Sequence, residues 1–214
     1  MLILVSLAGA AFAADPPLDP SLAPVEDVAG LPRVLLLGDS ISMGYTLPTR
    51  ELLAGKANVH RAPENCGPTS VGIQRIDAWL GDEPWEVIHF NFGLHDLKRE
   101  AGGQQQVPLD QYEANLKAIV EKLKATGAKL IWASTTPVPE GPVSPPRVPA
   151  DVVAYNEVAA RIMAENEIAV NDLYSVALPR LADLQTPVNV HFTPTGSRAL
   201  AEQVAKAIQT ALAR

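Results

Sequence analysis

The sequence predicts a single α/β domain, a five-stranded parallel sheet of order 2-1-3-4-5, doubly wound with helices on both faces. Three observations carry that expectation. From Arg33 onward, short apolar runs alternate with stretches of helical periodicity, the pattern of strands joined by crossover helices. The run Val34 to Leu37 is continuously apolar rather than alternating, as a strand buried on both faces requires. The 214 residues suit one domain, and neither an internal repeat nor a domain-sized change in composition divides them.

The elements follow in order. Val34 to Leu37 is the first strand, and a helix is expected within Gly44 to Gly55, with Gly55 as its stop. Ala57 to His60 is a weak second strand. Thr69 is a candidate cap for the next helix, whose Ile73, Ile76 and Leu80 share a face before Gly81. Trp85 to Phe92 is the third strand, with Gly93-Leu94-His95-Asp96 as the loop at its tip. The polar insertion Lys98 to Val107 lacks periodicity. Leu109, Tyr112, Leu116, Ile119, Val120 and Leu123 then mark a helix stopped at Gly127. Lys129 to Ala133 is the fourth strand. Ser134 to Pro149 is too rich in proline for a helix or an inner strand and must be a loop. Asp151 is a candidate cap for a helix carrying Val152, Tyr155, Ala159, Ile162 and Met163. Ile168 to Val170 is the fifth strand, and Leu173 to Leu184 holds further helical turns. Thr193 or Thr195 opens the last helix, with Leu200, Val204, Ile208 and Leu212 on its buried face.

Composition narrows the chemistry. Seventeen basic residues against 24 acidic ones give a formal charge of -7 with no basic stripe, which argues against nucleic acid as a partner. The one cysteine, Cys66, forms no intrachain disulfide and excludes a cysteine-based zinc site. Residues 1–13 have the apolar run and the Ala11-Phe12-Ala13 ending of a signal peptide cleaved before Ala14, so an exported protein, periplasmic or extracellular, is expected. The run is too short for a comfortable membrane span, and no stable membrane anchor is expected. Residues 14–32 read as a proline-rich leader, leaving 33–214 as the domain.

A ligand crevice in such a sheet lies beyond the strand C-termini where strand order reverses, here between strands 1 and 3. Their tips carry Gly38-Asp39-Ser40 and Gly93-Leu94-His95-Asp96. Gly38 allows a tight turn that a side chain would obstruct, and it brings the Ser40 hydroxyl beside the first N–H groups of a helix, which favour negative charge. His191 precedes Thr193-Pro194, a cap followed by proline at the first helical position, so it sits on a fixed loop. A histidine there could accept the Ser40 proton and return it to a leaving group.

Together these segments resemble the SGNH hydrolases, the GDSL esterase/lipase superfamily, over nearly the whole chain after the leader. Gly38-Asp39-Ser40-Ile41-Ser42 matches the first block, Asn65-Cys66-Gly67-Pro68-Thr69-Ser70 is similar to the second, and His191-Phe192-Thr193-Pro194-Thr195-Gly196 to the last. The resemblance implies Ser40 as nucleophile, His191 as base, and an oxyanion hole from the N–H groups of Ser40 and Gly67 and the third-block side chain. Two departures stand out. The third block, Gly-x-Asn-Asp in the family, has His95 at the asparagine position; a neutral imidazole still offers one N–H. The acid three residues before the family's histidine is replaced by Val188, followed by Asn189. Asp183 or a backbone carbonyl could orient His191 instead, or the site could run as a dyad, with Asn189 a further candidate supporting residue.

Other groups have plainer expectations. Asp39 and Asp96 are read as acceptors for backbone N–H groups around the crevice. Cys66 is read as a small buried residue, His60 and His89 as packed within strands, and Trp79, Trp85 and Trp132 as core. His95, Asp96 and His191 include zinc-compatible types, but adjacent ligands on one loop are a poor spacing for a metal, and no metal or other cofactor is expected. The resemblance therefore implies a serine esterase acting on small acyl esters, O-acetyl on carbohydrate foremost, with a small-molecule or carbohydrate substrate. A lysophospholipase or acyl thioesterase for longer chains is the enzymatic alternative. A non-catalytic carbohydrate-binding protein that kept the fold is the alternative of another class, motivated by the two departures.

Overall fold

The computed structural model describes residues 19–213. The segment read as a signal peptide and the first leader residues lie outside that range. Five parallel strands form one sheet of order β2-β1-β3-β4-β5: β1 Arg33–Leu37, β2 Asn58–Arg61, β3 Val87–Phe90, β4 Lys129–Ala133 and β5 Ala169–Asn171. The sequence expectation of a doubly wound sheet holds. Val34 to Leu37 are all buried, as are Val87, Ile88 and Phe90, so the two central strands contribute both faces to the core.

Helices cover the sheet. On one side α1 (Ser40–Leu52) packs against α7 (Pro194–Leu212). α2 (Thr69–Leu80) packs on α3 (Leu109–Ala125), and α3 on α4 (Pro149–Glu165). Two short helices, α5 (Leu173–Ala177) and α6 (Leu181–Leu184), lead from β5 toward the start of α7. The described part of the leader is docked on the domain. Asn58 exchanges hydrogen bonds with Val28, Arg50 donates to the Ala23 carbonyl, and Asp27 bridges Arg33 and His60.

Several boundaries differ from expectation for identifiable reasons. α1 begins at Ser40, not Gly44, because the Asp39 carboxylate already caps it by accepting from the Ile41 N–H at 2.9 Å. Thr69 does not cap α2. Pro68 takes that position, and the Thr69 hydroxyl is drawn instead to Asp96. Asp151 does not cap α4 either; Val148 precedes the helix, and Asp151 receives both Nε and Nη2 of Arg99 at 2.8–3.0 Å. β3 is shorter than Trp85 to Phe92. Trp85 lies before it, half-buried, with the Arg33 guanidinium 4.2 Å from its ring centroid. β5 starts at Ala169 rather than Ile168.

One close approach fixes the segment before α7. The Leu184 carbonyl accepts from both the N–H and the hydroxyl of Thr193, at 2.8 and 3.1 Å. Gly196 packs directly against that carbonyl, and a Cβ there would overlap it. A backbone oxygen holding two hydrogen bonds cannot yield as a flexible side chain could. Gly196→Ala is expected to cost about 3 kcal/mol or more in urea unfolding, the upper end for an overpacked site.

Candidate active site

The Gly38-Asp39-Ser40 turn is held from beneath by Arg61, a buried residue at the end of β2. Its five N–H groups each find an acceptor. Nε meets the Ala62 carbonyl, Nη1 the hydroxyls of Ser42 and Thr46, and Nη2 the carbonyls of Gly38 and Glu64, all at 2.9–3.2 Å. The Gly38 N–H meets Cys66 Sγ at 3.3 Å, and the Gly38 carbonyl also receives the Cys66 N–H. A Cβ on Gly38 would press on Ser42 at 3.0 Å, so the turn leaves little room for a side chain there. Cys66 is a buried packing group, as expected, and burial pushes its thiol up to about 12, away from thiolate chemistry.

Ser40 emerges half-buried at the first position of α1, where its N–H has no intrahelical partner. Its Oγ lies 2.9 Å from Nε2 of His191, across 151 residues of chain. The histidine is placed by a bent segment in which the Thr186 N–H donates to the His191 carbonyl and the Gln185 amide to the Val190 carbonyl. His191 Nδ1 lies 2.8 Å from Asn189 Oδ1, and the His191 backbone N–H reaches the same oxygen at 3.0 Å. The backbone N–H can only donate, which identifies that atom as the amide oxygen. An amide oxygen only accepts, so Nδ1 carries the proton and Nε2 is left bare toward the serine hydroxyl.

The missing acid is accounted for locally. Val188 sits exposed at φ +53°, a left-handed conformation unusual for a β-branched residue, and Asn189, not position 188, meets the imidazole. Asp183, one of the expected alternatives, is exposed on α6 and makes no hydrogen bond to His191.

The oxyanion donors come out unevenly. The Gly67 N–H, expected to be one of them, is engaged by Asn65 Oδ1 at 2.9 Å. An ester oxygen would have to displace that exposed amide. His95 is half-buried, and its imidazole makes no hydrogen bond to the described residues. Burial pushes its imidazole below the ordinary range, and Arg147, Lys98 and His191 push the same way against Asp39. At neutral pH it therefore offers a single N–H.

Asp96 ties the second block to the third. Its Oδ1 accepts from both the N–H and the hydroxyl of Thr69, and Thr69 Oγ1 in turn receives Asn115 Nδ2 at 3.1 Å. Asp39 and Asp96 thus both accept backbone N–H groups, as the sequence indicated. Among the described residues, no cluster of three or more His, Cys, Asp or Glu side chains could hold a metal. An open groove of about 540 Å³ runs beside Ser40 and His191, walled by Met43, Leu47, Pro48 and Phe192 and by Asp19 of the leader. Behind the turn, between Asp39, Asn91 and Thr135, the interior leaves only about 10 Å³. The sequence reading missed Arg61, which lies on a strand with nothing to mark it as buried.

Burial raises the Asp96 carboxyl to about 7, with the Thr69 bonds opposing. An unfolded carboxyl titrates near 3.8, so the folded state binds the extra proton between those values. Stability from this group is therefore highest below about pH 4 and falls as pH rises toward 7. Asp96→Asn keeps the acceptor for Thr69. It should flatten that slope in denaturant titrations at pH 4 to 8, by an amount on the order of 4 kcal/mol across the window.

Comparisons with known proteins agree with the fold. Residues 36–199 match the model of the GDSL-like Lipase/Acylhydrolase family. No curated protein sequence matches the chain. Among solved structures, a lipase/acylhydrolase from Enterococcus faecalis is similar with a TM-score of 0.73 at 19% identity, covering 84% of this chain and 96% of its own. The acetyl xylan esterase AlAXEase gives 0.71 at 17%, covering 82% and 99%. An acetylxylan esterase from Geobacillus stearothermophilus gives 0.68 at 18%, covering 83% and 94%. At these identities the structures speak for the fold, whereas the family match spans most of the chain and includes Ser40 and His191. The chain is a carboxylic ester hydrolase of the GDSL-like lipase/acylhydrolase family.

Proposed function

We propose that the protein is a serine esterase that removes small acyl groups, acetyl foremost, from carbohydrate through a Ser40 acyl-enzyme. The observation that carries this reading is the contact of Ser40 Oγ with Nε2 of His191 while Asn189 holds Nδ1–H. Ser40 attacks the ester carbonyl as its proton passes to Nε2, and the imidazolium returns that proton to the leaving alcohol. Water, deprotonated by the same nitrogen, then releases the acyl group. The oxyanion is met by the N–H of Ser40, by that of Gly67 once Asn65 yields, and by His95; each such donor is worth a few kcal/mol in the transition state.

Two features favour a small acyl group on a sugar. The space between Asp39, Asn91 and Thr135 behind the turn is about 10 Å³, too small for a long acyl chain. Two of the similar structures are named as acetyl xylan esterases. A longer acyl chain has one specific support, the apolar groove wall in which Leu47 is 40% exposed. Export with cleavage before Ala14 belongs to the same reading, and a mature N-terminus at Ala14 in secreted or periplasmic material would support it; an intact Met1 there would oppose it.

Hydrolysis of 4-nitrophenyl esters from acetate to octanoate tests the proposal. Acetate should give the highest kcat/KM, and Ser40→Ala should lose activity by about 10⁴-fold or more. Equal rates in the two proteins would instead indicate the non-catalytic alternative, and a rise with chain length the lipase or thioesterase alternative. Asn189→Ala should lower kcat about 100-fold with little change in KM, because it frees the imidazole tautomer. Asn189→Asp places a negative charge against Nδ1 and should move the acid limb of the kcat/KM profile to higher pH.

A further inference from the structure

The described leader begins at the substrate groove. Asp19 lines the same open groove of about 540 Å³ as Ser40 and His191. The rest of that lining is neutral, with Met43, Leu47, Pro48 and Phe192 as its apolar part. His191 aside, Asp19 is the one ionisable side chain among the described residues of the groove.

A built turn holds this carboxylate in place. Asp19 Oδ1 accepts the Ser21 N–H at 2.8 Å, the Asp19 carbonyl accepts the Leu22 N–H at 2.9 Å, and Ser21 is buried. The turn Pro20–Leu22 packs on α1, and Arg50 of α1 donates to the Ala23 carbonyl just after it. No cation forms an ion pair with Asp19 among the described residues. Residues 1–18 contain no lysine, arginine or histidine that could do so. Arg61 is near enough to favour the ionised form, but it spends its N–H groups beneath the nucleophile turn and lines no part of the groove. An exposed carboxylate beside neutral walls gives the groove a negative potential that draws cations in and repels anions.

We infer that Asp19 is a specificity-determining residue that favours esters whose alcohol portion carries a positive charge. The inference rests on the Ser40 esterase reading above: with a small acyl group in place, the charged group belongs to the alcohol. The side chain of Asp19 bonds to Ser21 and to neither Ser40 nor His191, so it acts on substrate binding and leaves the chemistry unchanged. An ammonium group is the matching charge, and an amino sugar is the class of alcohol that fits. The leader is then a wall of the groove as well as a link to the domain.

The test compares kcat/KM for 3-(trimethylammonio)phenyl acetate and for 3-tert-butylphenyl acetate, which have the same shape and differ by one charge. The ratio of the two should fall about threefold in Asp19→Asn, through KM for the cationic ester, and further in Asp19→Lys. Asp19→Asn keeps the side-chain oxygen that accepts from Ser21. In the wild-type protein the ratio should also decline with added salt, a series that stands even where a variant fails to fold. An unchanged ratio in Asp19→Asn, or a salt-independent ratio in the wild type, would overturn the inference while leaving the esterase reading intact. Failure of the wild type to hydrolyse either ester would overturn both.

Discussion

The site depends on a buried guanidinium that binds no acid. Arg61 reaches from the edge strand β2 beneath β1 and joins three separate pieces: the Gly38 carbonyl at the tip of β1, the hydroxyls of Ser42 and Thr46 in α1, and the Glu64 carbonyl on the way to the second block. Burying a cation among neutral dipoles is tolerable only when each N–H is satisfied, since one orphaned donor costs about 1–3 kcal/mol and more for a charged group. All five are satisfied. The nucleophile turn is consequently fixed by the same bonds that make the arginine tolerable there. With Asp39 capping α1 and Gly38 in contact with Ser42, the Ser40 hydroxyl has little freedom to leave the crevice.

His191, the proposed base, is set by a weaker device. A carboxylate beside Nδ1 would both orient the imidazole and stabilise its protonated form. The Asn189 amide orients it equally well through one oxygen and two donors, but contributes a dipole rather than a charge. In the proposed reaction, proton transfer from Ser40 then draws more on the oxyanion side, for which the first N–H of α1, Gly67 and His95 are the proposed donors. The substitution of His95 for asparagine fits this balance: with Arg147 and Lys98 nearby it remains neutral and can donate without adding a fixed charge against His191.

The fold was readable because its causes are local. The continuous apolar run Val34 to Leu37 announces a strand buried on both faces, the mostly apolar β3 and β4 follow it, and glycines such as Gly81 end intervening helices. Ser40 and His191 were readable because topology brings their segments to one crevice. Less visible were contacts whose partners come from elsewhere in the chain. Thr69 and Asp151 look like caps, yet a buried aspartate claims the first and Arg99 the second. Asn189 could be named but not chosen over Asp183, because the left-handed turn at Val188 that presents it leaves no mark in residue type. Arg61 and Arg147 look like ordinary surface cations in sequence, and only burial separates them from the rest.

The central claim is that Ser40 is a nucleophile activated by a histidine that an amide, not an acid, holds in place. Covalent labelling reads this most directly. An organophosphate ester should add one phosphoryl group to the peptide containing Ser40, with labelling abolished in His191→Ala and slowed about 100-fold in Asn189→Ala. Modification at another residue, or labelling at an unchanged rate in Asn189→Ala, would contradict it.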